Sequence, residues 1–92
     1  MTKILTVCGM GIGTSLILKM NTEKVLRTLG KEDDVVVEAS DIGTARGASR
    51  TADYVLISHD LAEQLGEVPA KVIVIDNFLS IPEITSKLEG EL

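Results

Sequence analysis

The chain has 92 residues, which is the length of one compact domain with a hydrophobic core of its own. Hydrophobic residues make up 45% of it and aromatic residues only 2%, so the core has to be aliphatic. The formal net charge of -5 provides no basic surface, which argues against nucleic acid and an anionic membrane surface as partners. We expect residues 1–92 to form a single domain without direct membrane insertion.

Cys8 is the only cysteine of the chain. The chain therefore cannot form an internal disulfide, and it lacks the several thiolates of a zinc cluster. The first apolar run, residues 4–7, is too short for a signal peptide or a membrane span. These features are typical of a reduced cytoplasmic protein, and we predict neither a metal site nor a cofactor.

Short β-branched runs alternate with helix-like segments, which predicts an α/β domain with a parallel sheet. Helices on both faces and right-handed crossovers favour an open, doubly wound, four-stranded sheet in the order 2-1-3-4. Residues 41–51 are small and polar and predict a loop with one helical turn at most. The predicted strands are residues 3–7, 35–39, 54–57 and 72–75. The predicted helices are residues 15–29, a short helix between Ser58 and Gly66, and a last helix that buries Ile81, Ile84 and Leu88. A capping box at residues 80–83 and a hydrophobic staple between Leu79 and Ile84 are expected to start this last helix.

The connection between the first strand and the first helix carries the chemistry. Cys8 ends the strand, three alternating glycines follow, and Thr14 or Ser15 opens the helix. Glycines let the main chain turn with its amides pointing inward, and a helix N-terminus adds further N–H groups and a favourable dipole. This setting suits a phosphoryl group and favours the thiolate of Cys8, a strong nucleophile. We predict that Cys8 is catalytic and that the phosphate-binding residues are Gly9, Met10, Gly11, Ile12, Gly13, Thr14 and Ser15.

Two other glycine-rich loops do not fit this segment. The dinucleotide pattern needs a third glycine where Thr14 or Leu16 stands, and the nucleoside-triphosphate loop needs a lysine before its Ser or Thr. A purely structural interpretation also exists, in which Cys8 is a small buried residue and the glycines only permit a turn.

A thiol phosphatase is a closer alternative. Low-molecular-weight tyrosine phosphatases have a similar fold and place an arginine six residues after their cysteine, but Thr14 occupies that position here. Losing the bidentate guanidinium should cripple hydrolysis of the phosphocysteine. Asp76 would match the general acid of that family. A phosphatase or arsenate-reductase-like enzyme therefore stays an alternative, as does a regulatory module whose phosphorylation only changes binding.

Residues 8–15, followed by Lys19 and Met20, resemble the IIB components of the bacterial phosphotransferase system (PTS) for sugar uptake. The likeness is greatest to the ascorbate-type branch and smaller to the lactose/cellobiose and galactitol types. It implies a phosphotransferase in which Cys8 takes a phosphoryl group from the phosphohistidine of a IIA protein. The acceptor would be a sugar held by the membrane-embedded IIC permease.

Other polar residues have weaker claims. Asp76 and Asn77 follow the fourth strand and could form the rim of the site, although a solvated turn is the favoured explanation. His59 is the only histidine and lies at a predicted helix start, where a surface or capping role is common. Arg46 and Arg50 are candidates for contact with an acidic or phosphorylated partner.

Overall fold

The computed structural model describes residues 2–9 and 13–92, and this part of the chain forms one four-stranded sheet with helices on both faces. The strands are β1 (Thr2–Cys8), β2 (Val35–Asp41), β3 (Tyr54–Ile57) and β4 (Lys71–Val74). The helices are α1 (Gly13–Thr28), α2 (Ile42–Ala48), α3 (His59–Leu65) and α4 (Ile81–Glu89), with a 3-10 turn at Ser49–Thr51.

The sheet has the order β2-β1-β3-β4 and every neighbouring pair is parallel, which confirms the predicted fold class. β1 is hydrogen-bonded on both sides, so its carboxyl end lies in the middle of one sheet edge. Cys8 at that end is in register with Asp41, the last residue of β2. In open sheets of this kind the ligand crevice lies beyond the carboxyl ends of the strands.

Alternate side chains of β1 pack into two separate core clusters. Ile4 belongs to the cluster that holds Leu18 of α1 and Leu88 of α4, whereas Leu5 and Val7 belong to the other, with the α2 and α3 residues. Thr6 and Cys8 share the α1 face with Ile4, because side chains two apart in a strand point the same way. α1 packs on this face of the sheet through Leu18, Val25 and Leu26, which are buried, and Leu29, which is half-buried.

The prediction of a loop over residues 41–51 is wrong, because this segment forms α2 and a 3-10 turn. Asp41 caps α2, since its Oδ1 accepts a hydrogen bond of 2.9 Å from the Thr44 N–H. Ala45 and Ser49 are fully buried beneath the helix. The small residues that lower intrinsic helix propensity also let the helix lie close to the sheet, and burial outweighs propensity here.

The start of α4 follows the prediction only in part. Ser80 Oγ accepts a hydrogen bond of 3.2 Å from the Glu83 N–H, so Ser80 caps the helix as expected. The staple is wrong, because Leu79 is 69% exposed while Ile84 is buried. Ile81 is also exposed and does not belong to the buried face, which Ile84 and Leu88 form.

The last residues of the chain return to the amino ends of the strands. Tyr54, the first residue of β3, donates its hydroxyl to the carbonyl oxygen of Glu91. Lys71, the first residue of β4, forms an ion pair with the Glu91 carboxylate. The end of the chain therefore lies at the sheet edge opposite Cys8.

Candidate functional site

Cys8 is the final residue of the central strand, and its side chain is directed towards the first turn of α1. Its Sγ donates a hydrogen bond to Ser15 Oγ across 3.3 Å. Both residues are buried, with Cys8 only 3% exposed. The sulfur thus contacts a polar group at a helix start on the α1 side of the sheet, which the purely structural interpretation of Cys8 does not require.

The start of α1 offers main-chain N–H groups and carries no competing negative charge. The first turn, from Gly13 onward, contains no acidic residue. Gly13 is exposed, and a Cβ built there would meet open space. A helix N-terminus of this kind attracts anions through its N–H groups and its dipole.

Gly9 follows Cys8 directly and lies against α3. A Cβ at this position would come within 3.3 Å of Leu61 Cδ2, so the absence of a side chain permits close packing of the connection on α3. The base of the β1–α1 connection is consequently held between α1 on one side and α3 on the other.

The predicted phosphate-binding residues are brought together in part. Gly9, Gly13 and Thr14 lie at the two ends of the β1–α1 connection, and Ser15 contacts the sulfur of Cys8. The predictions for Met10, Gly11 and Ile12 lie outside the described residues. A phosphate-binding role for the whole set stays a prediction.

Asp76 and Asn77 follow β4, which is an edge strand separated from β1 by β3. Both side chains are exposed. Their main-chain N–H groups donate to the Glu83 carboxylate, at 2.7 Å from Asp76 and 2.9 Å from Asn77. The main chain of this predicted rim is thus fixed from within the protein, and the rim role of the two side chains stays a prediction.

The sequence did not reveal the role of Glu83, because a capping box pairs this residue with the helix cap and not with the preceding loop. Desolvation raises the pKa of Glu83, but hydrogen bonds from Lys87, Asp76 and Asn77 and the charge of Lys87 outweigh it, and the pKa lies below its ordinary value. Lys87 also donates to the Val74 carbonyl oxygen (2.5 Å), which ties α4 to the end of β4.

Three further candidates are exposed residues. His59 is the exposed first residue of α3. Arg46 donates a hydrogen bond of 2.8 Å to the carbonyl oxygen of Leu65, the last residue of α3, and so caps the carboxyl end of this helix. Arg50 is exposed in the 3-10 turn after α2.

Comparison with known proteins identifies the family. The profile of the family described as "PTS system, Lactose/Cellobiose specific IIB subunit" matches residues 3–90, which is nearly the whole chain. The chain belongs to this PTS IIB family. Its members are phosphotransferases, and the expectation of a phosphoryl-transfer component of the PTS is confirmed.

One curated relative of this IIB chain is the ascorbate-specific PTS system EIIB component of Mycoplasma pneumoniae. It is 31% identical over 90 residues, which cover 97% of this chain and 93% of the relative. The predicted likeness to the ascorbate-type branch is thereby confirmed.

The solved structure of a protein tyrosine phosphatase from Entamoeba histolytica, with Hepes in its active site, shares the fold. The two chains superpose with a TM-score of 0.72, and the match covers 100% of each. Their sequences are 15% identical, so this likeness concerns the fold alone. It confirms the predicted similarity to the tyrosine phosphatase fold.

An exposed apolar surface lies on α1, the helix of this IIB chain that begins at the site. Leu16, Ile17 and Met20 lie on one side of the first two turns of α1, with Met20 58% exposed. Asn21 Nδ2 donates to the Phe78 carbonyl oxygen (2.8 Å), which brings the β4–α4 connection and its exposed Leu79 against α1.

Within residues 2–9 and 13–92, no helix of this IIB chain is long and apolar enough to span a bilayer. The same residues contain no group of three or more His, Cys, Asp or Glu side chains arranged to hold a metal ion.

Proposed function

We propose that Cys8 is the residue that carries the phosphoryl group in this PTS IIB protein. The Cys8 thiolate attacks the phosphorus of a phosphohistidine on a IIA protein, so that the P–N bond breaks as the S–P bond forms. A sugar hydroxyl bound by the IIC permease then attacks the same phosphorus, and the thiolate leaves. The observation that carries this proposal is the contact of Cys8 Sγ with Ser15 Oγ at the start of α1.

The electrostatics of the site support this role. The N-terminus of α1 places the positive end of a helix dipole next to the sulfur and brings no carboxylate with it. Such a setting stabilises both a thiolate and a phosphoryl dianion. Thr14 stands where the phosphatases carry arginine, so the phosphocysteine lacks the guanidinium that would promote attack by water. A carrier has to avoid that hydrolysis.

The apolar surface beside the site supports docking of the IIA donor. Transfer from phosphohistidine to Cys8 requires the donor surface to cover the surroundings of the sulfur. Leu16, Ile17 and Met20 are exposed next to Ser15, which contacts that sulfur. Apolar side chains of this kind supply the buried core of protein–protein interfaces.

The acceptor and the cellular location follow from the same proposal. The name of the Mycoplasma relative makes ascorbate the first acceptor to test, with cellobiose as the alternative that the family name suggests. A cytoplasmic location goes with this role, because the Cys8 thiol has to stay reduced.

Intact-mass measurement after phosphorylation tests the proposal. The protein is incubated with phosphoenolpyruvate, the general PTS proteins and a matching IIA protein, and IIC with its sugar is then added. We expect one phosphoryl adduct that disappears on sugar addition, and no adduct in Cys8→Ser. Turnover of an aryl phosphate without the PTS proteins would make the chain a phosphatase. An adduct that never moves to sugar would make it a regulatory module.

A second variant tests the docking surface. Met20→Glu should raise the KM for phosphorylated IIA by about tenfold, since interface anchors are commonly worth 1 kcal/mol or more. Alkylation of Cys8 by iodoacetamide should not change. Val36→Glu, at another exposed apolar residue on β2, is the matched control and should transfer normally. A normal KM for IIA combined with lost transfer to sugar would assign this surface to IIC instead.

A further inference from the structure

Thr6 is a buried polar residue of the central strand, two positions before Cys8. It is fully buried, and its Oγ1 donates a hydrogen bond of 2.9 Å to the Ser15 carbonyl oxygen. A longer contact of 3.3 Å reaches the Glu38 carbonyl oxygen of β2. The hydroxyl has one hydrogen, and the shorter distance makes the Ser15 carbonyl its main acceptor.

This hydrogen bond closes a ring with the functional cysteine. The Thr6 side chain holds the main chain of Ser15, and the Ser15 side chain in turn contacts Cys8 Sγ at 3.3 Å. The ring returns to Thr6 through the main chain of β1. Both the carbonyl oxygen and the side chain of Ser15 are therefore hydrogen-bonded to side chains of β1.

Packing alone does not require a hydroxyl at this position. Valine has nearly the same shape, favours strands and avoids the cost of burying a polar group. The hydroxyl adds a directed contact to one particular carbonyl. A comparison inside the same layer is provided by Thr22 of α1, which is also fully buried and whose Oγ1 has no hydrogen-bond partner among the described residues.

We propose that Thr6 is a positioning residue that sets the Ser15 hydroxyl against the Cys8 sulfur. This inference rests on the proposed role of Cys8. Thr6 does not touch the transferred group, and it acts through the first turn of α1. Without its hydroxyl, that turn loses the hydrogen bond between Thr6 and the Ser15 carbonyl oxygen, and the Ser15 hydroxyl no longer holds a fixed distance to the sulfur.

Alkylation of Cys8 by iodoacetamide at neutral pH tests this inference. Cys8 is the only cysteine, so the mass adduct reports on one site and needs no phosphoryl donor. Iodoacetamide reacts with the thiolate, to which the Ser15 hydroxyl can donate a hydrogen bond. Thr6→Val should therefore slow alkylation at neutral pH by about threefold to tenfold, as the loss of one buried hydrogen bond predicts. Thr6→Ser keeps the hydroxyl and should stay within about twofold of the wild type.

Thr22→Val is the matched control, since it removes a buried hydroxyl without breaking a hydrogen bond. Its alkylation rate should equal that of the wild type. Thr6→Ala removes the same hydroxyl with less bulk and replaces Thr6→Val should the latter fail to fold by circular dichroism. A wild-type alkylation rate in the folded variants that lack the Thr6 hydroxyl overturns the inference. An equal decrease of the alkylation rate in Thr22→Val also overturns it.

A double-mutant cycle with Ser15→Ala separates positioning from general loosening of the fold. Because Thr6 acts through the Ser15 hydroxyl, Thr6→Val should slow alkylation much less in the Ser15→Ala background than in the wild type. An equal effect in both backgrounds overturns the inference. Failure of the PTS assay alone would refute the carrier role of Cys8, whereas these alkylation results would still decide the role of Thr6.

Discussion

Two strand-to-helix connections lie at the carboxyl ends of the strands, and they differ in whether a side-chain carboxylate binds their main-chain N–H groups. In the β4–α4 connection, the Glu83 carboxylate accepts hydrogen bonds from the N–H groups of Asp76 and Asn77, and Ser80 caps the helix. In the β1–α1 connection, glycines replace these side chains, and the first turn of α1 contains no acidic residue.

The contrast indicates which connection is structural and which is available to an anion. Glu83 supplies the β4–α4 connection with its own negative charge, so the N–H groups there are already occupied. The first turn of α1, within the described residues, has no acidic residue, and a phosphoryl group on Cys8 of the proposed carrier would take the equivalent place. The same main-chain chemistry thus fixes a loop in one case and, in the proposed carrier, would bind the phosphoryl group in the other.

An acidic residue in the first turn of α1 should remove this difference, and we expect it to have the largest effect on the rate of phosphorylation. Gly13→Asp fits sterically, because a Cβ at Gly13 meets open space and its φ is not in the left-handed region. A like charge at about 5 Å repels the phosphoryl group by roughly 3 kcal/mol at an effective dielectric of about 20. We expect phosphorylation by IIA to slow by about tenfold to a hundredfold in kinetic assays, after discounting for salt.

Gly13→Asn is the matched control, since it has the shape of the aspartate without its charge. It should retain most of the wild-type rate. The thermal midpoint of Gly13→Asp should not fall, because an acidic residue stabilises a helix N-terminus. Equal rates in Gly13→Asp and Gly13→Asn would contradict an electrostatic role for the start of α1.

Removing the charge of Glu83 should affect stability and leave the chemistry intact. Glu83→Gln weakens hydrogen bonds from Asp76, Asn77 and Lys87, and we expect the free energy of unfolding to fall by about 1–2 kcal/mol at pH 7. Urea denaturation measures this loss. The rate of Cys8 alkylation should not change, and a slower rate would show that the two connections depend on each other.

The pH dependence of the same variant follows from the lowered pKa of Glu83. In the folded protein this pKa lies below its ordinary value of 4.5, so the contribution to stability is complete above pH 4.5. It is lost as the pH falls through the folded-state pKa, where the carboxylate becomes protonated. The difference between the wild type and Glu83→Gln should therefore shrink on acidification below 4.5, and an unchanged difference would contradict this assignment.

Two serines near the helix starts give the smallest effects and the most direct contrast. Ser80→Ala removes the α4 cap and should cost about 1 kcal/mol of unfolding free energy without changing alkylation. Ser15→Ala removes the contact with Cys8 and should slow alkylation several-fold. The free energy of unfolding, measured by urea denaturation, should change by less than about 1 kcal/mol. An interchange of these two outcomes would refute the division between the connections.

The sheet was predictable because its signals are local and strong. Each strand is a β-branched run, and the segments between them are long enough for parallel crossovers, so class and strand order followed. The position of Cys8 at a central carboxyl end came from the same pattern. α2 was missed because Gly43, Thr44 and Gly47 lower helix propensity, whereas the burial that stabilises the helix depends on the sheet beneath it.

The missed site residues depend on contacts between distant segments. Thr6 looks like any strand residue until α1 packs over β1 and brings the Ser15 carbonyl within 2.9 Å. Glu83 fits a local capping motif, yet its carboxylate bonds to the preceding loop, six and seven residues away. The exposed apolar side chains Ile17 and Met20 differ from buried ones only in the direction in which α1 presents them. Such features follow from packing and not from residue spacing.

The return of the chain to the amino ends of the strands has a practical consequence. Thr2 is the first residue of β1, and Glu91 contacts the first residues of β3 and β4. Both extremities of the described fold therefore lie at the amino ends of the strands, opposite the carboxyl ends where Cys8 lies, which we call the thiol edge. An affinity tag, a surface linker or a fused module attached at either extremity would project away from Cys8. Immobilised protein should therefore keep its thiol edge accessible, which suits surface-based measurement of IIA binding in a uniform orientation.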